Sequence, residues 1–239
     1  MALPKLNVPR YELKIPSDGK RIKYRPFLVK EEKLLLLAME SQDQAQMVDT
    51  IQILIENCTN LAKSDIKNLA TFDFEYIFLN IRAKSVGETV DLMVTSPDDG
   101  KTQVQVKVDL DDVNVQFDEN HSTTLAINET VSMVMKYPSM DMFVKNNFDL
   151  NESNKVDTLF DLTIDCIESI VEGEDVYPAS ESSKKELNEF LEQLDSKQFQ
   201  QVQTFFETMP KLKHDIKFTN PKTKKKQTVT LEGLASFFG

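Results

Sequence analysis

Tryptophan is absent from this 239-residue chain, and glycine (six), cysteine (two) and histidine (two) are scarce. Two cysteines in a chain of this length make no disulfide framework. Cys58 and Cys166 both fall inside apolar helical patterns, where a free thiol acts as a small hydrophobe. The glycines are scattered among turns and helix ends, and the chain contains no P-loop, no GxGxxG and no GxSxG. His121 and His214 stand 93 residues apart with no HExxH, third ligand or nucleophile attached, and each is expected at the surface. Ser96-Pro97-Asp98-Asp99-Gly100 has the outline of a zinc knuckle without its cysteines. Asp98, Asp99, Asp109, Asp111 and Asp112 lack the alternation and terminal Glu of a calcium loop, and are expected to be solvated. No catalytic residue, cofactor or metal site is therefore assigned, and the chain is expected to be no enzyme. A site made of carboxylates alone would escape this search.

Long apolar runs are missing too. None approaches the roughly 18 residues that would span a bilayer, so no membrane span is expected. Met-Ala-Leu-Pro-Lys lacks the basic-then-apolar layout of a signal peptide, which points to a cytosolic origin. The sequons at Asn57 and Asn128 then carry no meaning.

Positive charge is in deficit overall, at a net −11, but it is not evenly spread. Residues 1–33 hold nine Lys/Arg against four Asp/Glu, and residues 210–239 hold seven Lys against two acids. Each end thus carries a surplus of five positive charges, and residues 34–209 carry −21. An acidic middle between basic ends argues against nucleic-acid binding, which needs a continuous positive surface. It favours complementary contacts between proteins, or between the ends and the middle.

Periodicity supplies the elements, and they add up to an α+β fold of helices packed with several antiparallel hairpins. Around Asp18-Gly19 the apolar positions mirror one another, Ile15 to Ile22, Leu13 to Tyr24 and Tyr11 to Pro26, as across a two-residue type I′ turn. Leu28–Ser41 is helical in composition, and its Leu34–Met39 run is apolar all round. The rarity of large exposed apolar patches makes it a covered core helix rather than an exposed docking helix. Helices follow over about 44–57 and from Ser64, then one capped by Thr71 with Phe74, Ile77, Phe78 and Ile81 inward and Gly87 as its stop. Val90–Val94 and Val104–Leu110 alternate as a hairpin, and Leu125–Ile127 and Val131–Tyr137 as strands. Asn146-Asn147 and Asn151–Asn154 mark a boundary between halves 1–145 and 146–239, unless the two form one integrated domain. Beyond it, Phe160, Ile164, Ile167 and Val171 share a helical face closed by Gly173, and Tyr177–Ser182 reads as a connector. Ser183-x-x-Glu186 opens a capped helix with Leu187, Phe190, Leu191 and Leu194 inward. Phe199, Val202, Phe205, Phe206 and Met209 line a last helix that Pro210 stops. A basic hairpin, Ile216–Phe218 and Val229–Leu231, and an apolar tail finish the chain.

Two segments echo each other. Phe74, Ile77 and Ile81 return 125 residues later as Phe199, Val202 and Phe206. Asp91, Leu92, Val94, Thr95 and Pro97 return 124 later as Asp215, Ile216, Phe218, Thr219 and Pro221. Shared order and a near-constant offset favour a helix-plus-hairpin repeat over coincidence of binary pattern.

Leu3-Pro4, Pro9, Tyr11, Pro16-Ser17, Gly19, Arg25-Pro26-Phe27 and Val29–Leu35 also follow one another in a familiar order, continued by Tyr137-Pro138, Leu231-Glu232-Gly233 and Phe237-Phe238. In this the chain resembles the small baseplate hub and hub-assembly proteins of T-even-type contractile-tailed bacteriophages. The resemblance implies a protein made in the host bacterial cytoplasm that helps to build the baseplate hub. Some members of that family are hub subunits in the virion tail, and others act in assembly without staying. The expected role is a non-enzymatic, chaperone-like assembly factor that binds other baseplate hub or tail proteins, with a permanent hub subunit as the alternative. The residues expected to meet partners are Lys14, Arg21, Lys23 and Arg25 at one end and Lys222, Lys224, Lys225, Lys226, Phe237 and Phe238 at the other.

Overall fold

The computed structural model describes residues 6–41, 43–145 and 155–237. Phe238 and the Asn-rich stretch 146–154 lie outside them. In chain order the elements are β1 (Tyr11–Lys14), β2 (Arg21–Tyr24), α1 (Val29–Ser41), α2 (Gln44–Cys58), α3 (Lys63–Lys67), α4 (Thr71–Val86), β3 (Thr89–Thr95), β4 (Gln103–Asp109) and β5 (Asn114–Gln116). Then come β6 (Thr124–Ala126), β7 (Val131–Met135), α5 (Met140–Lys145), α6 (Lys155–Cys166), β8 (Ile167–Glu172), β9 (Asp175–Pro178), α7 (Lys184–Glu192), α8 (Ser196–Thr208), β10 (Lys211–Thr219) and β11 (Lys226–Glu232). The fold is α+β, with small antiparallel sheets.

Two compact units divide the chain, and the division does not fall at 145/146. The first joins Met1–Gln116 to Lys211–Gly239, and the second is Phe117–Pro210. The joining element is a sheet ordered β11-β10-β5, in which Lys211, Leu212 and Lys213 pair with Gln116, Val115 and Asn114. These pairs tie the C-terminal hairpin to the N-terminal part. Charge follows the same division: the first unit holds 22 Lys/Arg against 20 Asp/Glu, and the second holds six Lys against 19 acids.

In the first unit the central element is α4. Phe72, Phe74, Ile77, Phe78, Leu79, Ile81 and Ala83 are all buried, so the helix is covered all round. It packs against α2, β5, β10 and the short 3-10 turns Leu110–Asp112 and Leu234–Phe237. Thr71 is its first residue rather than its cap; Ala70 stands at the cap and offers no side-chain bond.

Three hairpins of this unit share one turn. In each, a residue before proline receives the N–H of the residue four further on: Gly19 to Ile15 O (2.9 Å), Gly100 to Ser96 O (3.0 Å) and Lys224 to Asn220 O (2.9 Å). The donor is left-handed each time, with φ of 72°, 63° and 60°. Asp18, Asp99 and Thr223 then accept from the N–H two residues later, at 2.8, 3.0 and 3.4 Å. Proline supplies its fixed φ and needs no partner for a missing N–H, which suits the first turn position. The consequence for the first hairpin is a register two residues from the expected one. Leu13 pairs with Ile22 and Tyr11 with Tyr24 across a four-residue Pro16–Gly19 turn.

The echoed segments share this turn, although α4 and its hairpin lie in one unit while α8 and the β10–β11 hairpin lie in different ones. The repeat therefore extends to the hairpin and not to a packed module.

The second unit builds a sheet ordered β6-β7-β8-β9 against its helices. Met133, Leu162, Cys166, Ile167, Leu187, Leu191, Val202 and Phe205 form its core. The segment read as helix through Val171 ends as helix at Cys166, and Ile167–Glu172 is a strand. Gly173 belongs to the β8–β9 turn, and Tyr177 to β9 rather than to a connector. Ladder bonds to both β7 and β9 override the helical spacing of Ile167 and Val171. Helix capping follows the sequence: Ser183 and Glu186 form a reciprocal box, as do Asp195 and Gln198.

Candidate docking surfaces

Contrary to the sequence expectation, α1 is not a covered core helix. Only Glu31, Leu35 and Ala38 are buried, the narrow stripe that a single neighbour, α2, can cover. Val29 is 80 % exposed, Leu36 54 % and Leu37 49 %, with Leu34 and Met39 above 40 %. Leucines in an unbroken run must point all round a helix, so the run alone does not say how many sides are met. The result is a helix of the first unit with apolar side chains in water over its open faces.

The β1–β2 hairpin presents Lys14, Arg21 and Lys23 to solvent. Arg21 makes a loose pair with Glu12 at 4.0 Å, both well exposed. Arg25 does not join them. Its guanidinium donates to Glu31 Oε1 (3.0 Å), to Asn57 O (3.0 Å) and to Pro26 O (2.8 Å), and its side chain is only 17 % exposed. Burial alone would raise the Glu31 carboxyl, but the Arg25 hydrogen bond, the Leu28 N–H and Lys30 hold it below its ordinary range. Arg25 is thus a fastener between β2, α1 and α2, removed from the partner-facing set.

At the C-terminal hairpin, Lys222, Lys224, Lys225 and Lys226 are all exposed. The hairpin's two ends differ. Lys211 and Lys213 at its base each reach Glu232 at 3.0 Å. The lysines of the tip have no ion pair among the described residues. Asp98 supports the tip from below: it accepts from the Asn220 amide (2.8 Å), from the Ser96 hydroxyl (2.7 Å) and from the Thr223 hydroxyl. Those bonds, Thr223's first, lower its pKa. Asp98 and Asp99 are structural turn residues, then, and not loose solvated carboxylates. Asp109 likewise caps Asp111 N–H (3.0 Å), and Asp111 pairs with Lys84.

The apolar tail splits as well. Phe237 is fully buried in the first unit and belongs to its core, not to a docking surface. Leu234 N–H donates to Glu75 Oε1 (3.0 Å), which moors the tail to α4. Desolvation pushes Glu75 up to about 7 and Asp73 up to about 6; Asp73 accepts from Ser17 N–H (3.1 Å) and so holds the first hairpin's turn. Sequence reading missed these two carboxylates as clamps, since only their positions in the first turn of a helix were visible.

His121 is not a free surface residue: its ring packs on Tyr137 and Phe205, and Nδ1 lies 2.9 Å from Thr208 Oγ1. Burial lowers its pKa. The buried thiols of Cys58 and Cys166 are pushed up to about 11 and about 12, which leaves them inert. Among the described residues no group of three His, Cys, Asp or Glu has the geometry to hold a metal, and no helix is long and apolar enough to cross a membrane.

What the site residues offer is therefore surface: exposed apolar side chains on α1 and two basic hairpins, all on one unit. The family model described as T4 bacteriophage base plate protein matches residues 8–239. No curated protein and no solved structure matches the chain. With all but the first seven residues inside that match, the chain belongs to the T4 bacteriophage base plate protein family and has a base-plate-related role.

Proposed function

We propose that this chain is a non-enzymatic, chaperone-like assembly factor for the baseplate hub, acting in the host bacterial cytoplasm through protein–protein binding. The observation that carries this is α1, which leaves Val29, Leu34, Leu36, Leu37 and Met39 in water on a unit whose core is already filled. Burying these side chains against a client gains about 25 cal/mol per Å² of apolar surface. The exposed basic residues of the two hairpins supply steering toward acidic surfaces, and steering of that kind weakens as salt rises. Lys14, Arg21 and Lys23 act with Lys222, Lys224, Lys225 and Lys226 in this role. Partners are other baseplate hub or tail proteins.

A permanent structural subunit of the hub is the second reading, favoured by the family's own description as a base plate protein. Mass spectrometry of purified tails, run beside a gene knockout, separates the two. The assembly factor is required for tails yet absent from them. A stoichiometric copy in mature virions overturns it in favour of the subunit.

A further inference from the structure

The C-terminal hairpin ends its sheet with an open edge. β11 pairs with β10 over seven residues without a register shift and, among the described residues, with no other strand. Two bonds close the ladder, Asn220 N–H to Lys225 O at the turn and Gly233 N–H to Leu212 O at the base, each 2.9 Å. Bonded and non-bonded pairs alternate along an antiparallel ladder. Both closures therefore assign the backbone groups of Gln227, Val229 and Leu231 to β10. They turn the N–H and C=O groups of Lys226, Thr228, Thr230 and Glu232 outward. Among the described residues nothing bonds the outward groups of Thr228 and Thr230. The Glu232 carbonyl accepts from Ser236 Oγ (2.7 Å) and keeps a second lone pair.

Natural edges are usually blunted, and those of the second unit are. β9 has four residues and ends at Pro178. The last carbonyls of the β6 edge, Ala126 O and Ile127 O, are taken by Gln201 and Gln198 of α8, at 2.9 and 3.0 Å. β11 has no proline, glycine or bulge.

We propose that β11 is where two copies of this chain join, antiparallel about a twofold axis at Val229, making one six-stranded sheet from two of three. The sequence of the strand is complementary to itself in that register. Lys226 stands opposite Glu232 of the second copy, and Thr228 opposite its Thr230, in both directions. All four residues are those whose backbone groups face outward, so the bonded pairs and the matched side chains coincide. The next column agrees: Lys217 lies beside Thr228, and Asp215 beside Thr230 and bonded to it at 2.6 Å. The two threonine rows of the joined sheet then run from Lys217 of one copy to Asp215 of the other, and the two outer rows set Lys226 beside a Glu232 that also holds Lys211 and Lys213. The tips with Lys222, Lys224 and Lys225 fall at opposite ends and do not repel. β4 also has an open edge, but paired with itself about Val106 it sets Lys107 against Gln105 and no lysine against an acid. The joint is isologous, as a closed dimer requires. It is small, so association depends on concentration in the micromolar range. It uses neither α1 nor any hub partner; of the basic residues named above it engages Lys226 alone, and it otherwise stands apart from the proposed function.

Sedimentation of the purified full chain across the micromolar range tests this, and a monomer–dimer equilibrium is expected. Thr228→Pro removes an N–H that the fold does not use, so its circular dichroism and melting stay as in the parent while dimer affinity falls tenfold or more. Val229→Cys places two thiols at a non-bonded pair, Cα to Cα about 4.5 Å, within disulfide reach. It cross-links to itself under mild oxidation, Thr228→Cys does not, and the buried Cys58 and Cys166 do not compete. A chain that is monomeric throughout, or that takes up only a foreign strand at β11, overturns the proposal. So does a dimer that Thr228→Pro leaves intact or that Val229→Cys fails to trap.

Discussion

α1 and α4 are both apolar helices of the same unit, and only one of them is covered. α4 buries aromatic and aliphatic side chains on every face, while α1 buries Glu31, Leu35 and Ala38 and leaves its leucines in water. Their neighbours make the difference. One helix, two strands and two 3-10 turns reach α4, whereas α1 leans chiefly on α2. A helix with one neighbour buries one stripe whatever its composition. An apolar run thus states what a helix can bury, and the surrounding elements state what it does bury.

Substitutions should pull the two helices further apart. Phe78→Ala in α4 empties a fully buried site and is expected to cost about 3–5 kcal/mol in denaturant unfolding. A cost below about 1 kcal/mol would mean that α4 is no core. Next comes Arg25→Ala, which leaves the buried Glu31 of α1 with only the exposed Lys30 at 3.2 Å and should cost up to about 3 kcal/mol. If stability does not move, Arg25 belongs with the exposed basic residues after all.

Protonation distinguishes the helices in sign. Asp73 and Glu75 of α4 have folded pKa values of about 6 and about 7, above their ordinary 3.8 and 4.5. The folded chain binds these protons more tightly, so their stabilisation is complete below the ordinary values and is lost as pH rises through 6 to 7. Between pH 5 and 8 the loss is about 4 kcal/mol, and Asp73→Asn with Glu75→Gln should flatten it. Glu31 of α1 is held low, so its contribution is present above its ordinary pKa and fades as pH falls through the folded one. Thermal melts of the parent and both variants across this range check the two slopes. The smallest effect on stability, within about 0.5 kcal/mol, is expected for Leu36→Ser with Leu37→Ser. The same pair should abolish capture of hub proteins from infected cells; unchanged capture would make these leucines bystanders.

Much of the fold was legible. Alternation located the β3–β4 and β10–β11 hairpins, and the capping box at Ser183 began α7 where it was expected. Lys14, Lys23 and the tip lysines lie on the surface as expected. The register of the first hairpin was also within reach. Ile15-Pro16-Ser17-Asp18-Gly19-Lys20 and Ser96-Pro97-Asp98-Asp99-Gly100-Lys101 share Pro, Asp, Gly and Lys in place, a signal for one common turn. Mirror symmetry of apolar residues cannot separate registers two apart, because both keep the same side chains on the same face. The strand at Ile167 was hidden for another reason: apolar residues at helical spacing ran across a helix–strand junction.

What the sequence determined by itself is local: turns set by proline and left-handed glycine, caps set by short polar side chains, and strand faces set by alternation. What waited for the tertiary structure is which of these elements meet. Burial of Arg25 and Phe237, exposure of Leu36 and Leu37, the excursion from Gln116 to Lys211 and the open edge of β11 all depend on neighbours distant in sequence. Periodicity records how a side chain points relative to its own helix or strand. It carries no record of what stands opposite.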